Sequence, residues 1–196
     1  LSSQITMKLI FATHNKNKLL EIAAMMPPNF ELLSLDDIAC NEDIPETSNT
    51  IEGNAILKAD YVKQHYNLDC FADDTGLEVE VLNGEPGVHS ARYAGNRKND
   101  EANIAKLLDN LKDTNNRNAQ FKTVIALNLN DHQILFIGIC KGKITRVPKG
   151  SFGFGYDSVF QPDGSDKTFG EMTLEEKSTF SHRGKALRDL LDYLGS

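Results

Sequence analysis

Two adjacent carboxylates, Asp73 and Asp74, are the side chains whose type and position most directly suggest chemistry. They follow the strand-like residues 68–72 and precede Gly76, so we expect a strand to stop at this pair and the chain to turn. Neighbouring anions repel each other, and the pair costs stability unless a cation or a substrate uses it. Mg²⁺ takes oxygen ligands and usually one or two carboxylates. The alternative is a solvated turn after a strand.

An acidic loop before the predicted helix at residues 50–66 offers a further oxygen ligand for such a metal. Glu46 is the first candidate to join Asp73 and Asp74 at the metal, and Glu42 is the second. The other carboxylates of this loop are expected to be solvated. The sequence thus predicts a magnesium site built around the Asp73–Asp74 pair.

A polar segment between the first predicted strand and the first predicted helix suits a polyphosphate. It combines a hydroxyl, amides and two ammonium groups with the N–H groups of a helix N-terminus, which together favour anions. The glycines and the Gly-Lys-Ser/Thr ending of a Walker A loop are missing. The candidate phosphate-binding residues are Thr13, His14, Asn15, Lys16, Asn17 and Lys18.

Glycines alternate with aromatic residues at positions 151–157. Glycine lets a ligand approach the backbone, an aromatic face can stack on a base, and a carboxylate can accept from N–H groups at a base edge. The alternative is a tight turn whose aromatic rings return to the core. The candidate base-binding residues are Phe154, Gly155, Tyr156 and Asp157.

A third polar group follows the capping box that begins at Thr173. Lys177 and Arg183 could bind a phosphate or a base carbonyl, and His182 could donate to a purine edge. The alternative for these residues is a charged helix junction that faces water.

Composition narrows the class of protein. The 196 residues suit one catalytic domain, residues 7–196, divided into two lobes, and residues 1–6 are expected to be a tag remnant or a disordered terminus before a start at Met7. A net charge of −7 argues against broad nucleic-acid or anionic-membrane binding, and no apolar run is long enough to span a bilayer. Cys40, Cys70 and Cys140 lack metal-binding or redox spacing, which favours buried thiols in a reducing cytoplasm.

Hydrophobic patterning predicts an α/β fold in which strands and helices mix without strict alternation. We expect a mixed, twisted and elongated β-sheet flanked by helices, not a doubly wound nucleotide fold, with the active-site cleft between two lobes. The predicted strands are residues 7–12, 30–35, 68–72, 77–82, 121–129 and 133–147, and the predicted helices are residues 19–26, 50–66, 100–112 and 186–194.

Taken together, these segments resemble the inosine triphosphate pyrophosphatase family, hydrolases of non-standard purine nucleoside triphosphates. The resemblance runs from Met7 to the last predicted helix, and the order and spacing of its short motifs make it specific. The matching segments are residues 12–18, 46–47 with 54–59, 72–77, 86–95, 153–157, and 176–178 followed by 181–183.

The resemblance implies a role for each cluster. Residues 13–18 would cradle the triphosphate, Asp74 would bind the metal and accept a proton, and Thr75 would contact the substrate. Residues 154–157 would hold the base, Lys177 the phosphates or the sugar side, and His182 with Arg183 the base edge. The family releases pyrophosphate and a nucleoside monophosphate with Mg²⁺, usually as a homodimer. We therefore expect hydrolysis of ITP, dITP and XTP.

Three residues depart from the family pattern. His14 stands where many members have glycine, Ser158 replaces a proline, and Pro45 precedes Glu46 where an acidic residue is common. The last departure leaves the second metal ligand open. Two other classes of function are a purine-nucleotide sensor without catalysis, and a structural scaffold, which would require all the polar clusters to be coincidental.

Overall fold

The computed structural model describes residues 6–195, and its contacts divide the chain into two compact units. Unit 1 comprises residues up to Asp74 together with 124–137 and 186 onward, and unit 2 comprises residues 75–123 and 138–185. The predicted terminal remnant, apart from Thr6, lies outside the described residues. The helices are α1 (Lys16–Met25), α2 (Ile51–Tyr66), α3 (Asp100–Asn110), α4 (Leu174–Phe180) and α5 (His182–Gly195).

Seven strands form one mixed sheet. They are β1 (Met7–Phe11), β2 (Phe30–Leu33), β3 (Cys70–Val79), β4 (Pro86–Gly87), β5 (Asn118–Leu129), β6 (His132–Ile144) and β7 (Phe160–Pro162). The order is β2-β1-β3-β5-β6-β7, and β4 pairs with β3. β1 runs parallel to β2 and β3, whereas β3–β4 and β6–β7 are antiparallel. This topology confirms the predicted mixed α/β sheet.

Strand β3 corrects the expectation that the chain turns after the two carboxylates. The strand continues through Asp73, Asp74 and Gly76 to Val79, so the two predicted strands on either side are one element. The burial of the segment explains the continuation, because Phe71, Ala72, Leu77 and Val79 are all fully buried. Hydrophobic burial on both sides of the acidic pair therefore keeps the strand extended despite the low strand propensity of aspartate.

Strands β5 and β6 form the long hairpin that the sequence predicts. Its turn residues, Asn130 and Asp131, have φ angles of 50° and 64°. A two-residue turn with two left-handed residues matches the twist of the strands it joins, and Asn and Asp tolerate that conformation better than most residues. The hairpin register consequently follows from local turn chemistry.

Helix starts follow capping residues that can be read from the sequence. Asn15, Thr50, Asn99 and Thr173 each accept a hydrogen bond from backbone N–H groups in the first turn of α1, α2, α3 and α4. α1 begins at Lys16, three residues before the predicted start. The last three residues of the proposed phosphate-binding segment thus belong to a helix and not to a loop.

Each unit has its own apolar core. In unit 1, Phe11 and Phe71 stack with ring centroids 4.7 Å apart, and they pack in a cluster that includes Leu187 of α5. In unit 2, Phe121, Phe160 and Phe169 pack together with the buried face of α3. All three cysteines are buried free thiols, as predicted. Among residues 6–195, none of the helices combines the length and apolar character that crossing a bilayer requires.

Candidate functional site

The acidic pair of β3 lies in unit 1, where each carboxylate has a lysine partner. Asp73 is fully buried, and its Oδ1 lies 3.1 Å from Nζ of Lys18 in the first turn of α1. Neighbouring side chains of a strand point to opposite faces, so Asp73 and Asp74 have different surroundings. An ionised carboxylate at this depth requires a cation, and Lys18 supplies it.

Asp74 lies in a cluster with Lys58 of α2 and Glu46 of the preceding loop. Lys58 Nζ is 3.3 Å from Glu46 Oε1 and 3.9 Å from Asp74 Oδ1. The Asp74 side chain is 10% exposed, and its buried Oδ2 has no hydrogen-bond partner. Burial raises the pKa of the Asp74 carboxyl above its ordinary value, and the positive charges of Lys58 and Lys18 oppose that rise.

These residues fit a hard divalent cation. A buried carboxylate oxygen that lacks a partner, beside a second carboxylate from Glu46, is the donor set that Mg²⁺ takes when substrate phosphates and water complete its shell. Among the described residues, no three His, Cys, Asp or Glu side chains form a metal-binding group.

The predicted phosphate-binding segment at residues 13–18 satisfies three of its backbone N–H groups with its own side chains. Asn15 Oδ1 accepts from the backbone N–H groups of Asn17 and Lys18, and Thr13 Oγ1 accepts from the N–H of Asn15. The N-terminus of α1 is thus capped by the Asn15 side chain. In the same segment, the side chain of Lys16 is exposed to solvent.

Glu42, the second metal candidate, lies in a different cluster of unit 1. Its Oε1 accepts hydrogen bonds from the hydroxyls of Tyr66 at 2.7 Å and Tyr61 at 3.0 Å. The hydrogen bond from Tyr66, with that from Tyr61, lowers the pKa of Glu42 to about 2. The backbone carbonyl of Glu42 also lies 2.9 Å from Nε2 of His14. Glu42 thus anchors the acidic loop to α2 and to residue 14, and Glu46 is the carboxylate that reaches the Asp74 cluster.

The second polar cluster lies in unit 2 and is built around Asp157. Its Oδ2 accepts from Lys177 Nζ at 2.6 Å and from the backbone N–H of Phe154 at 3.1 Å. Asp157 and Lys177 are each about 95% buried as side chains, with 5% exposed. The glycine-aromatic loop at residues 153–157 thus wraps around the carboxylate of Asp157, which holds the ammonium group of Lys177.

The two aromatic residues of this loop, Phe154 and Tyr156, differ in burial. Tyr156 is buried in the core, and its hydroxyl donates to the carbonyl of Ser90 at 2.6 Å, so the alternative of a ring returning to the core holds for Tyr156. The ring of Phe154 is partly exposed, and Lys177 Nζ lies 4.9 Å from its centroid. The N–H of Gly155 donates to Asp100 Oδ2 at 2.8 Å, which ties the loop to the first turn of α3.

His182 and Arg183 occupy the first turn of α5 and are buried, with 2% and 1% of their surfaces exposed. The alternative of a helix junction facing water is therefore wrong. The ring of His182 stacks on Phe121 with centroids 4.6 Å apart. Arg183 Nη2 donates to Thr75 Oγ1 at 2.9 Å, and the Arg183 guanidinium lies 5.9 Å from the Phe154 ring centroid. Unit 2 thus unites Thr75, Phe154 and Arg183, which the sequence placed far apart.

Sequence reasoning assigned no role to Lys58, although a signal was present. Lys58 follows Ala55 by three residues and precedes Val62 by four, so it lies on the buried face of α2. A lysine on an apolar helical face requires a buried anion, and Asp74 with Glu46 provides it. Asp100, which holds Gly155, carries no such signal because acidic residues are common in first helical turns.

The wrapping of the loop around Asp157 makes a prediction for Gly153. Its φ is 76°, and a Cβ at this position would collide with the Asp157 carboxylate. We expect Gly153→Ala to lower the free energy of unfolding by more than the roughly 1–2 kcal/mol of a left-handed alanine. Gly84→Ala is the matched control, since Gly84 has a φ of 88° with no atom within 4 Å of a Cβ. If chemical denaturation showed the same loss of unfolding free energy in both variants, the described packing of the loop around Asp157 would be contradicted.

The chain is similar to known proteins in both sequence and fold. A dITP/XTP pyrophosphatase of Flavobacterium psychrophilum is 64% identical over 187 residues, which cover 95% of this chain and 98% of that protein. A dITP/XTP pyrophosphatase of Bacillus subtilis is 41% identical over 95% of this chain and 96% of its own. The solved Ham1 protein of Staphylococcus aureus superposes with a TM-score of 0.86 at 39% identity, covering 96% of this chain and 98% of that chain. The Ham1 family model matches residues 9–193, and the chain therefore belongs to the Ham1 family.

Proposed function

We propose that this protein hydrolyses ITP, dITP and XTP to the nucleoside monophosphate and pyrophosphate, and so clears non-standard purines from the nucleotide pool. The observation that carries the proposal is the buried Asp74 carboxylate, whose Oδ2 has no partner and whose neighbours are Lys58 and Glu46. Relatives up to 64% identical that are named dITP/XTP pyrophosphatases support the same substrate class.

The cluster of unit 1 is assigned to the triphosphate. Lys16, Lys18 and Lys58 carry the positive charges that offset phosphate oxygens, and Asp73 holds the Lys18 ammonium in place. Asp74 would hold Mg²⁺, with Glu46 or Asp73 as a further ligand. When bound, Mg²⁺ supplies Lewis-acid polarisation and neutralises charge on the transferring phosphoryl group. Thr13 and Asn15 hold the start of α1 and therefore set where the lysines point.

Asp74 is assigned as the proton acceptor. Its raised pKa makes the carboxylate a stronger base than an exposed aspartate, which suits removal of a proton from water. The water oxygen forms a bond to the α-phosphorus, the bond from that phosphorus to the oxygen bridging to the β-phosphate breaks, and pyrophosphate leaves. The proton from the water passes to Asp74 Oδ2, which is the oxygen without a partner.

The cluster of unit 2 is assigned to the base. His182 and Arg183 offer donors that match the 6-keto group of hypoxanthine and xanthine, and the amino group of adenine would leave those donors unpaired. Sites built on buried hydrogen bonds reject the wrong edge by about 10⁴ in favourable cases. Phe154 provides an aromatic face for the base, while Asp157 orients Lys177 toward the sugar or phosphates.

The proposal also includes two further properties, the oligomeric state and the cellular location. The protein acts as a homodimer, which light scattering after size-exclusion chromatography would detect, and it works in the cytoplasm, where its substrates arise. A monomer over the whole working range of protein concentration would refute the homodimer.

The experiment that tests the function is an assay of product release across a panel of purine triphosphates, with Mg²⁺ and with a chelator. We expect pyrophosphate and monophosphate from ITP, dITP and XTP, little turnover of ATP, and loss of activity on chelation. Orthophosphate as the first product would refute the pyrophosphatase assignment. Tight binding of dITP in Mg²⁺ without turnover would support a nucleotide sensor instead.

The role of Asp74 predicts opposite effects on activity and stability. Asp74→Asn is expected to abolish turnover nearly completely, because the amide cannot accept the proton. Since burial raises the pKa of Asp74, its ionisation costs folding stability at neutral pH, and the cost disappears as pH falls below the unfolded value of 3.8. The variant should therefore be at least as stable as the unmodified protein at about pH 7, with the difference shrinking toward about pH 4.

Asp69→Asn is the matched control for this experiment. Asp69 lies in the same unit and pairs with Lys63 at 3.0 Å, away from the Asp74 cluster, so its loss should leave turnover unchanged. Chemical denaturation and initial rates on dITP give both readouts from one preparation. Normal turnover by Asp74→Asn would remove Asp74 from the mechanism.

Arg183 predicts a change in base selection. Arg183→Ala removes a buried donor, and we expect the ratio of kcat/KM for ITP to that for ATP to fall by roughly one to two powers of ten. Inhibition by pyrophosphate should change little, because the phosphate end is assigned to other residues. Arg146→Ala, an exposed arginine of the same unit, serves as the control. An unchanged ratio in Arg183→Ala would contradict its role at the base edge.

A further inference from the structure

Strand β5 places two residues directly behind the base-recognition pair. Phe121 and Thr123 are two positions apart and thus lie on the same face of β5. The Phe121 ring stacks against His182 with an interplanar angle of 19°. Thr123 is fully buried, and its Oγ1 lies 2.7 Å from Thr75 Oγ1, which in turn accepts from Arg183. β5 therefore contacts His182 directly through Phe121, and it reaches Arg183 indirectly, through the hydrogen bond between Thr123 and Thr75.

The hydroxyl of Thr75 has its position fixed from two sides. A guanidinium group can only donate hydrogen bonds, so the Thr75 oxygen must accept the 2.9 Å hydrogen bond from Arg183. The second bond joins Thr75 to Thr123, and either hydroxyl can donate in it. In both arrangements the Thr75 oxygen is held by Thr123, which itself lies on a central strand and cannot move without disturbing the sheet.

We propose that Thr123 is a positioning residue for base selection: it holds the Thr75 hydroxyl, which orients the guanidinium of Arg183 toward the 6-keto edge of the purine. The inference rests on the proposed function. Thr123 need not touch the nucleotide, since its effect passes through Thr75. Selection of a keto edge over an amino edge depends on where the hydrogen-bond donor is placed. A displaced guanidinium would therefore lose most of its preference for the keto purine.

The competing interpretation is that Thr75 and Thr123 form an ordinary cross-strand pair. Such threonine pairs on neighbouring strands stabilise a sheet without any role in binding. This interpretation predicts a change in folding stability alone. The proposal predicts a change in the ratio of kcat/KM for dITP to that for dATP, which a loss of sheet stability would not alter.

Thr123→Val tests the proposal, because valine keeps the branched shape and removes the hydroxyl. We expect the dITP-to-dATP ratio to fall by about tenfold, the scale of one net hydrogen bond, with inhibition by pyrophosphate unchanged. Thr123→Ser restores the hydroxyl and should restore the ratio. Thr145→Val is the matched control, since the Thr145 hydroxyl donates to the Val147 carbonyl in the same unit. If Thr123→Val does not fold, Thr123→Cys replaces the hydroxyl by a weaker hydrogen-bonding group and carries the same test.

A double-mutant cycle tests whether Thr123 acts through Thr75. In the Thr75→Val background, adding Thr123→Val should change the ratio by less than about twofold, whereas independent effects would multiply. The proposal is overturned if Thr123→Val keeps the ratio of the unmodified protein, if Thr123→Ser fails to restore it, or if the two effects multiply. An unmodified protein without preference for dITP over dATP would instead refute the proposed function, and the inference with it.

Discussion

A buried charge needs a partner, and this requirement organises both units. The buried carboxylates Asp73, Asp74 and Asp157 each lie beside a lysine. Transferring an isolated carboxylate or ammonium group into a protein interior is so costly that a partner must accompany it. In unit 1 the pairs are Asp73 with Lys18 and Asp74 with Lys58, and in unit 2 the pair is Asp157 with Lys177. Each pair joins residues distant in sequence, so satisfying the charges also fixes which elements meet.

Asp74 is the place where this requirement is left incompletely met. Lys58 lies 3.9 Å from one oxygen and is shared with Glu46, while the other oxygen has no partner. Burial outweighs the nearby lysines and raises the pKa of the carboxyl. A group held in this way stores part of its desolvation cost, and functional sites are where proteins retain such groups. The division between the two units falls at Asp74–Thr75, so one strand supplies residues to both clusters.

In unit 2, hydrogen bonds to groups outside and inside the segment shape the short glycine-aromatic loop at residues 153–157. Asp157 draws the backbone of residues 153–157 around itself and holds Lys177, while Asp100 and Ser90 fix the loop at Gly155 and Tyr156. Phe154 of the same segment is partly exposed, and its ring lies near Lys177 and Arg183. The buried Arg183 is held in a similar manner by Thr75 and Thr123. In this unit, hydrogen bonds thus fix the positions of Lys177 and Arg183.

The sequence by itself determined the family and the mixed sheet, because these depend on the order and spacing of short motifs and on hydrophobic patterning along the chain. It misplaced the end of the strand at Asp73, since aspartate propensity is local whereas burial of Phe71 and Leu77 is not. Only the tertiary structure decided that Lys58 accompanies Asp74, that Glu42 serves two tyrosines, and that Tyr156 belongs to the core. Those outcomes depend on which charges and hydroxyls come into contact after folding. The spacing of residues along the chain does not determine these contacts.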